Sequence, residues 1–253
     1  MVNKKVQRIK LIVAISVVVI VAILLCIRII IYQKQGEKNM PFKLDKIIII
    51  STAQKDEKTE NGENQPAEAS WSFNVVQNND IYISIVNNDE NNKNNKKIKN
   101  ITLENIEILE APQKGDLKAY MPNSLEGSRY IYTDDYEVSK SLTYRGADEN
   151  DLKNLQINKN GGNLSISFAN KNLGKYESGE ETEVTYNGTM LSKLGVNDEE
   201  IKSKIAFDLI IELEDEKKYS GRVEIDLTCE GLIENGKTQI ELTDFSNIIF
   251  KRI

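Results

Sequence analysis

Histidine occurs nowhere in this sequence. Its absence removes Ser-His-Asp and Cys-His nucleophilic catalysis, imidazole acid–base relays and His-ligated metal sites together. A histidine-free hydrolase could still use a Ser-Lys arrangement, but no S-x-x-K motif is present. Two carboxylates suffice for glycoside hydrolysis, yet 39 acidic residues make some pair inevitable, so pairing identifies nothing. Walker A, GxGxxG, CxxC and EF-hand patterns are all missing. The acidic stretches ADEND at 147–151 and LEDE at 213–216 offer oxygens to Ca²⁺. They lack the alternating ligands and the glycine of a dedicated loop, so a helix cap and a solvated turn are the better readings. We therefore expect no catalytic residue, no cofactor and no bound metal.

One aromatic constellation remains. The segment YIYTDDYEVSKSLTY at 130–144 gathers Tyr130, Tyr132, Tyr136 and Tyr144 around a TDD turn. Exposed tyrosines beside carboxylates can contact protein or sugar, which makes Tyr130, Tyr132 and Tyr136 the candidate partner-contact residues. Cross-strand packing of a hairpin is the simpler use of the same rings. Of two cysteines, Cys26 lies in an apolar run and Cys229 stands alone far from it. No disulfide is expected between them, and Cys229 reads as a small buried hydrophobe at a strand end.

That apolar run, LIVAISVVVIVAILLCIRIIIY at 11–32, is the element that must position everything else. As a helix it reaches roughly 33 Å at about 1.5 Å per residue, enough to cross a hydrocarbon core of about 30 Å. Arg28 can snorkel to headgroups and Tyr32 suits the interfacial belt. Lys4, Lys5, Arg8 and Lys10 precede the run with no acid among them, so the preceding ten residues are expected in the cytoplasm and the body outside. A cleaved signal peptide would need small residues at its cleavage site, and a lipoprotein a small residue before Cys26, where Leu25 stands. Retention as a single-pass anchor in the bilayer is therefore the expectation.

Beyond residue 32 the chain holds 28 basic and 39 acidic residues, a formal net charge of −11. A scattered acidic surface excludes nucleic-acid binding, which requires clustered Lys or Arg. The dominant pattern is alternation of period two. IAFDLIIEL at 205–213 and YSGRVEIDL at 219–227 flank a short polar connection containing DEKK and predict a hairpin. Asn187-Gly188, Asn235-Gly236 and Asn160-Gly161-Gly162 supply the positive φ of tight turns. Trp71, Phe73 and Val75 precede a turn-like QNND, after which the pattern predicts a strand at 81–86; it also predicts a strand at 46–50 and another at 97–109 that changes phase near Asn105-Ile106 as a bulge would. Helices are expected at 197–204, with Asn197 and Glu200 forming a capping box, and from Asp148 through Leu155. QKDEKTENGENQPAEAS at 54–70 and NNDENNKNNKK at 87–97 lack the apolar residues that would offset ordering.

The fold class expected is mainly β: a transmembrane helix followed by an extracytoplasmic antiparallel β-sandwich, Ig-like or larger, with one or two short helices. The expected organisation is a cytoplasmic tail at 1–10, an anchor at 11–32, a juxtamembrane stalk at 33–46 and a body at 47–253, or two smaller β domains split near Gly146. In DKIIIISTA at 45–53, QNNDIYISI at 77–85 and KIAFDLIIEL at 204–213, with its Lys, Asn and Ile enrichment, the chain resembles single-pass membrane proteins of clostridial, low-GC Gram-positive bacteria. The resemblance implies envelope attachment through the helix and carries no activity. The resulting expectation is a non-catalytic binding or accessory protein with an envelope or membrane protein partner. A carbohydrate- or calcium-dependent adhesion module and a histidine-free hydrolase are the alternatives.

Overall fold

The computed structural model describes residues 2–56, 72–123, 130–177 and 189–253. Most of the 54–70 stretch, Trp71 and the Asn187-Gly188 pair lie outside these residues. Helix α1 (Val2–Gln35) encloses the apolar run and extends past it at both ends. From Lys10 to Gln35 it is long and apolar enough to cross a membrane, and none of that apolar stretch is buried by the rest of the chain.

Alternating apolar residues then form a succession of strands: β1 (Phe42–Lys55), β2 (Ser72–Asn87), β3 (Ile98–Glu110), β4 (Asp116–Tyr120), β5 (Leu142–Ala147), β6 (Gln156–Asn158), β7 (Gly162–Lys171) and β8 (Lys175–Glu177). Two short helices, α2 (Thr189–Lys193) and α3 (Asp198–Ile201), precede β9 (Ser203–Leu213) and β10 (Lys218–Leu227). One-turn helix α4 (Leu232–Asn235), β11 (Lys237–Leu242) and β12 (Lys251–Arg252) follow. The first sheet runs β11-β1-β2-β7-β4 with β8 also on β2, and the second runs β12-β10-β9-β3-β5-β6. Every pairing is antiparallel except β5 with β6.

The two sheets enclose one core, with Phe42, Ile81, Ile83 and Phe168 from the first meeting Ile101, Phe207, Leu209 and Ile211 from the second. Strands from both sides of Gly146 share these sheets and this core. A smaller apolar cluster of Phe73, Val75, Leu173, Met190, Leu191, Ile201 and Leu232 packs the first sheet's far end against α2, α3 and α4. The sandwich is thus the expected class, with three short helices among the described residues instead of one or two.

The segment expected as a stalk, 33–46, is instead divided between the helix and the folded body. Residues 33–35 continue α1, and β1 begins at Phe42, with Phe42 and Leu44 buried and Asp45 bulged out of register between Leu44 and Lys46. That bulge puts Phe42 and Leu44 on the same inward face as Ile47 and Ile49, a phase that simple alternation conceals. Between helix and strand the chain is pinned: Asn91 Nδ2 donates to the Lys38 carbonyl (3.0 Å) and Asn88 Nδ2 to that of Met40 (3.2 Å).

The turn-like QNND is corrected as well, since β2 passes straight through residues 77–80. The segment from Asp148 to Leu155 holds only a 3₁₀ turn at Glu149–Asp151, and the helix expected at 197–204 stops at Ile201. Its capping box is present, Glu200 N–H donating to Asn197 Oδ1 (3.2 Å) and Asn197 N–H to Glu200 Oε2 (3.0 Å). Asn235-Gly236 is no hairpin turn. Gly236, at φ 69°, closes α4 in the left-handed conformation, so the same positive φ ends a helix. The β3 register does shift between Glu104 and Glu107, where the alternation changes phase.

Candidate binding groove at the open side of the sandwich

β11 ends the first sheet and β12 ends the second, so the chain between them crosses one open side of the sandwich. Beneath this crossing lies a solvent-open groove of about 300 Å³. Its floor is apolar because inward positions of β1 and β10, Ile47, Val223 and Ile225, meet Ile240 and Leu242 of the edge strand and Phe245 and Ile248 of the crossing. Glu224, Asp226 and Asp244 stand among the lining residues with Thr228 and Asn247. Glu224 pairs with Lys204 (3.0 Å), and Asp244 accepts from the Ser246 N–H (3.0 Å), which holds its carboxyl below the usual range. An apolar floor under a carboxylate rim suits an apolar group carried beside a cation. β11 pairs with β1 on one side and has no strand on the other among the described residues, leaving backbone donors and acceptors at the groove's margin.

The candidate tyrosines lie elsewhere. The segment carrying them covers the outer face of the first sheet, where Tyr120 packs with Val76 and Ala169, and Tyr132 and Tyr136 pack against that group. Tyr130 is buried and stacks with Tyr132 at 6.2 Å between centroids, while Tyr132 meets Tyr120 edge-on at 5.2 Å. Tyr132 OH lies 3.3 Å from Ser167 Oγ, which donates to Asp80 Oδ1 (2.7 Å). Burial pushes the Tyr132 hydroxyl well above its ordinary range and that of Tyr120 up to about 12. Tyr136 is half-buried, and Tyr144 is apart from all three, inside the main core with its OH donating to the Ser165 carbonyl. These rings meet one another and the sheet, with Tyr132 and Tyr136 remaining half-exposed. Two of the three acids of LEDE face lysines: Glu214 pairs with Lys159 (3.2 Å), and Asp215 with Lys96 (2.6 Å) and Lys217 (3.3 Å).

A polar belt between the two apolar clusters escaped the sequence reading. Ser51 Oγ (2.7 Å) and Gln77 Nε2 (3.2 Å) both donate to Asn79 Oδ1, and Asn79 Nδ2 donates to the Phe168 carbonyl (3.1 Å). Asn170 Nδ2 donates to Gln77 Oε1 (3.3 Å), and Gln77 Nε2 reaches Cys229 Sγ at 3.0 Å. Odd positions from Phe73 to Ile85 share one face of β2, so Gln77 and Asn79 sit inside while the strand continues. The available signal was the unbroken phase of 73, 75, 81, 83 and 85 across QNND.

Cys229 is buried, and burial pushes its thiol up to about 12. At pH near 8 its thiolate is scarce, so a thiol-reactive chromogenic disulfide should modify it on the order of 10³-fold more slowly than free cysteine in a Cys26→Ala chain. Full reactivity should return in denaturant. A native rate close to that of free cysteine would contradict the buried position.

No protein-family model, curated protein or solved structure matches this chain.

Proposed function

We propose that this protein is a membrane-anchored, extracytoplasmic binding or accessory protein of the cell envelope, acting through its sandwich body and not by catalysis. The observation that carries the reading is α1: an apolar helix of spanning length whose side chains remain outside the body it is attached to. Basic residues before the apolar run favour a cytoplasmic N-terminal side. The lack of histidine and the buried, protonated Cys229 weigh against nucleophilic or acid–base chemistry. The groove beside the free β11 edge supplies a place for a partner: an extended segment with apolar side chains for the floor and a cation for Glu224, Asp226 and Asp244.

The test joins topology to binding. Asp89→Cys, at an exposed position in a Cys26→Ala chain, should react with a membrane-impermeant maleimide on intact cells, and the protein should stay with carbonate-washed membranes. Labelling only after lysis, or release by carbonate, would refute the anchored outward body. Mild-detergent purification should recover a stoichiometric partner. Combined Glu224→Lys, Asp226→Lys and Asp244→Lys should lose it, and undiminished recovery would place the contact away from the groove.

A further inference from the structure

The end of α1 and residues 250–253 are clasped together. Arg252 N–H donates to Tyr32 OH (2.7 Å), Lys251 Nζ to Gln33 Oε1 (2.6 Å), and Glu37 N–H to the Phe250 carbonyl (2.8 Å). The approach depends on Gly36, which sits at φ 66°, and a Cβ there would lie 2.3 Å from the Phe250 oxygen. The same Cβ would meet Ile249 at 2.8 Å. Ile253 N–H donates to the Lys218 carbonyl (3.1 Å), which ties the clasp to β10. The helix therefore meets the body as a braced joint.

The chemistry of this joint differs from the rest of the acidic surface. Ile249 and Ile253 are exposed, at 39% and 67%, and both lie where the helix enters the body. Lys34 and Lys38 flank the helix end in sequence and Lys251 and Arg252 lie within the clasp, while the carboxylates acting on neighbouring Tyr219 are Glu37 and Asp215, the latter already paired with Lys96 and Lys217. A helix that spans from Leu11 reaches the far boundary about 30 Å later, near Tyr32. Groups bonded to Tyr32 and Gln33 must then share their depth, at the level of lipid headgroups.

We infer that residues 249–253 form a second membrane contact, with Ile249 and Ile253 entering the headgroup–acyl boundary and Lys34, Lys38, Lys251 and Arg252 facing lipid phosphates. Apolar side chains flanked by cations are what an anionic interface accepts. This rests on the anchored reading proposed above. The contact holds the sandwich at one height and tilt on the bilayer, so the groove is presented in a defined direction.

The test uses the full chain with Cys26→Ala, reconstituted in vesicles of phosphatidylcholine and phosphatidylglycerol. A nitroxide is placed singly at Leu24→Cys, Ile249→Cys, Ile253→Cys or Glu110→Cys, and its relative accessibility to oxygen and to a water-soluble nickel complex reports depth. Buried Cys229 is protected from the label. Glu110, at the other end of β3, lies on the order of 40 Å from the clasp by strand rise. Leu24 should read as hydrocarbon, Glu110 as water, and Ile249 and Ile253 as intermediate, shifted toward oxygen. If Leu24 is deep while Ile249 and Ile253 match Glu110, the second contact is overturned and the anchor stands. If Leu24 itself reads as water, the anchor and the contact both fall. A charge-reversed chain with Lys251→Glu and Arg252→Glu should move the Ile249 label toward water, and an unchanged depth would remove the phosphates from the proposal.

Discussion

Phe42→Ala should lower the stability of the body by about 4 kcal/mol, as expected for removing a buried phenyl ring and leaving a cavity. Phe42 is fully buried at the start of β1, opposite Asn87 in register with β2. A residue in a solvated stalk would contribute almost nothing, and the neighbouring exposed Lys43→Ala should change stability by no more than about 0.5 kcal/mol. Urea unfolding of the full chain in detergent, followed by far-ultraviolet circular dichroism, separates the two cases. A domain of ordinary stability holds only about 5–15 kcal/mol, so the midpoint should move visibly. A loss below about 1 kcal/mol for Phe42→Ala would return residues 42–46 to the stalk.

Asn79→Ala should cost about 3 kcal/mol, although no charge and little apolar surface is removed. The side chain accepts from Ser51 and Gln77 and donates to Phe168, so its loss strands buried donors that water cannot reach. The Ser51→Ala, Asn79→Ala cycle should then show a coupling of about 1 kcal/mol, because Ser51→Ala removes a donor that Asn79→Ala has already orphaned. Strictly additive losses would mean that the belt is hydrated and the two side chains act independently. The effect matters to the fold because β2 must pass from one apolar cluster to the other through this belt.

Several elements were legible because their signals are local. The hairpin of β9 and β10 follows from nine-residue alternations separated by a polar connection, and the register pairs Phe207 with Val223 and Ile205 with Ile225. The capping box of Asn197 and Glu200 is a four-residue pattern, and the β3 bulge is a break in phase visible at Asn105-Ile106. The readings that failed did so where a distant residue decides the outcome. QNND has turn composition, yet Ser51, Phe168 and Cys229 satisfy its inward side chains, with Cys229 lying 152 positions from Gln77. Asp45 hides the start of β1 by bulging. The candidate tyrosines are legible as a group, while the place where Tyr132 and Tyr136 pack on the outer sheet face is set by Tyr120, Val76 and Ala169 from three strands.

By itself the sequence determined that one helix is apolar enough to cross a bilayer, that the body is built of alternating strands, and that histidine chemistry is unavailable. Those properties reside in composition and short-range periodicity, which the backbone reads within a few residues. The tertiary structure alone decided that Thr52 pairs with Lys237, that the crossing from β11 to β12 roofs an acid-rimmed groove, and that residues 250–252 clasp the end of α1. Strand pairing is chosen by contacts between distant residues whose hydrogen-bonding groups are chemically alike along the whole chain. Only simultaneous packing of both sheets selects one register and one set of neighbours.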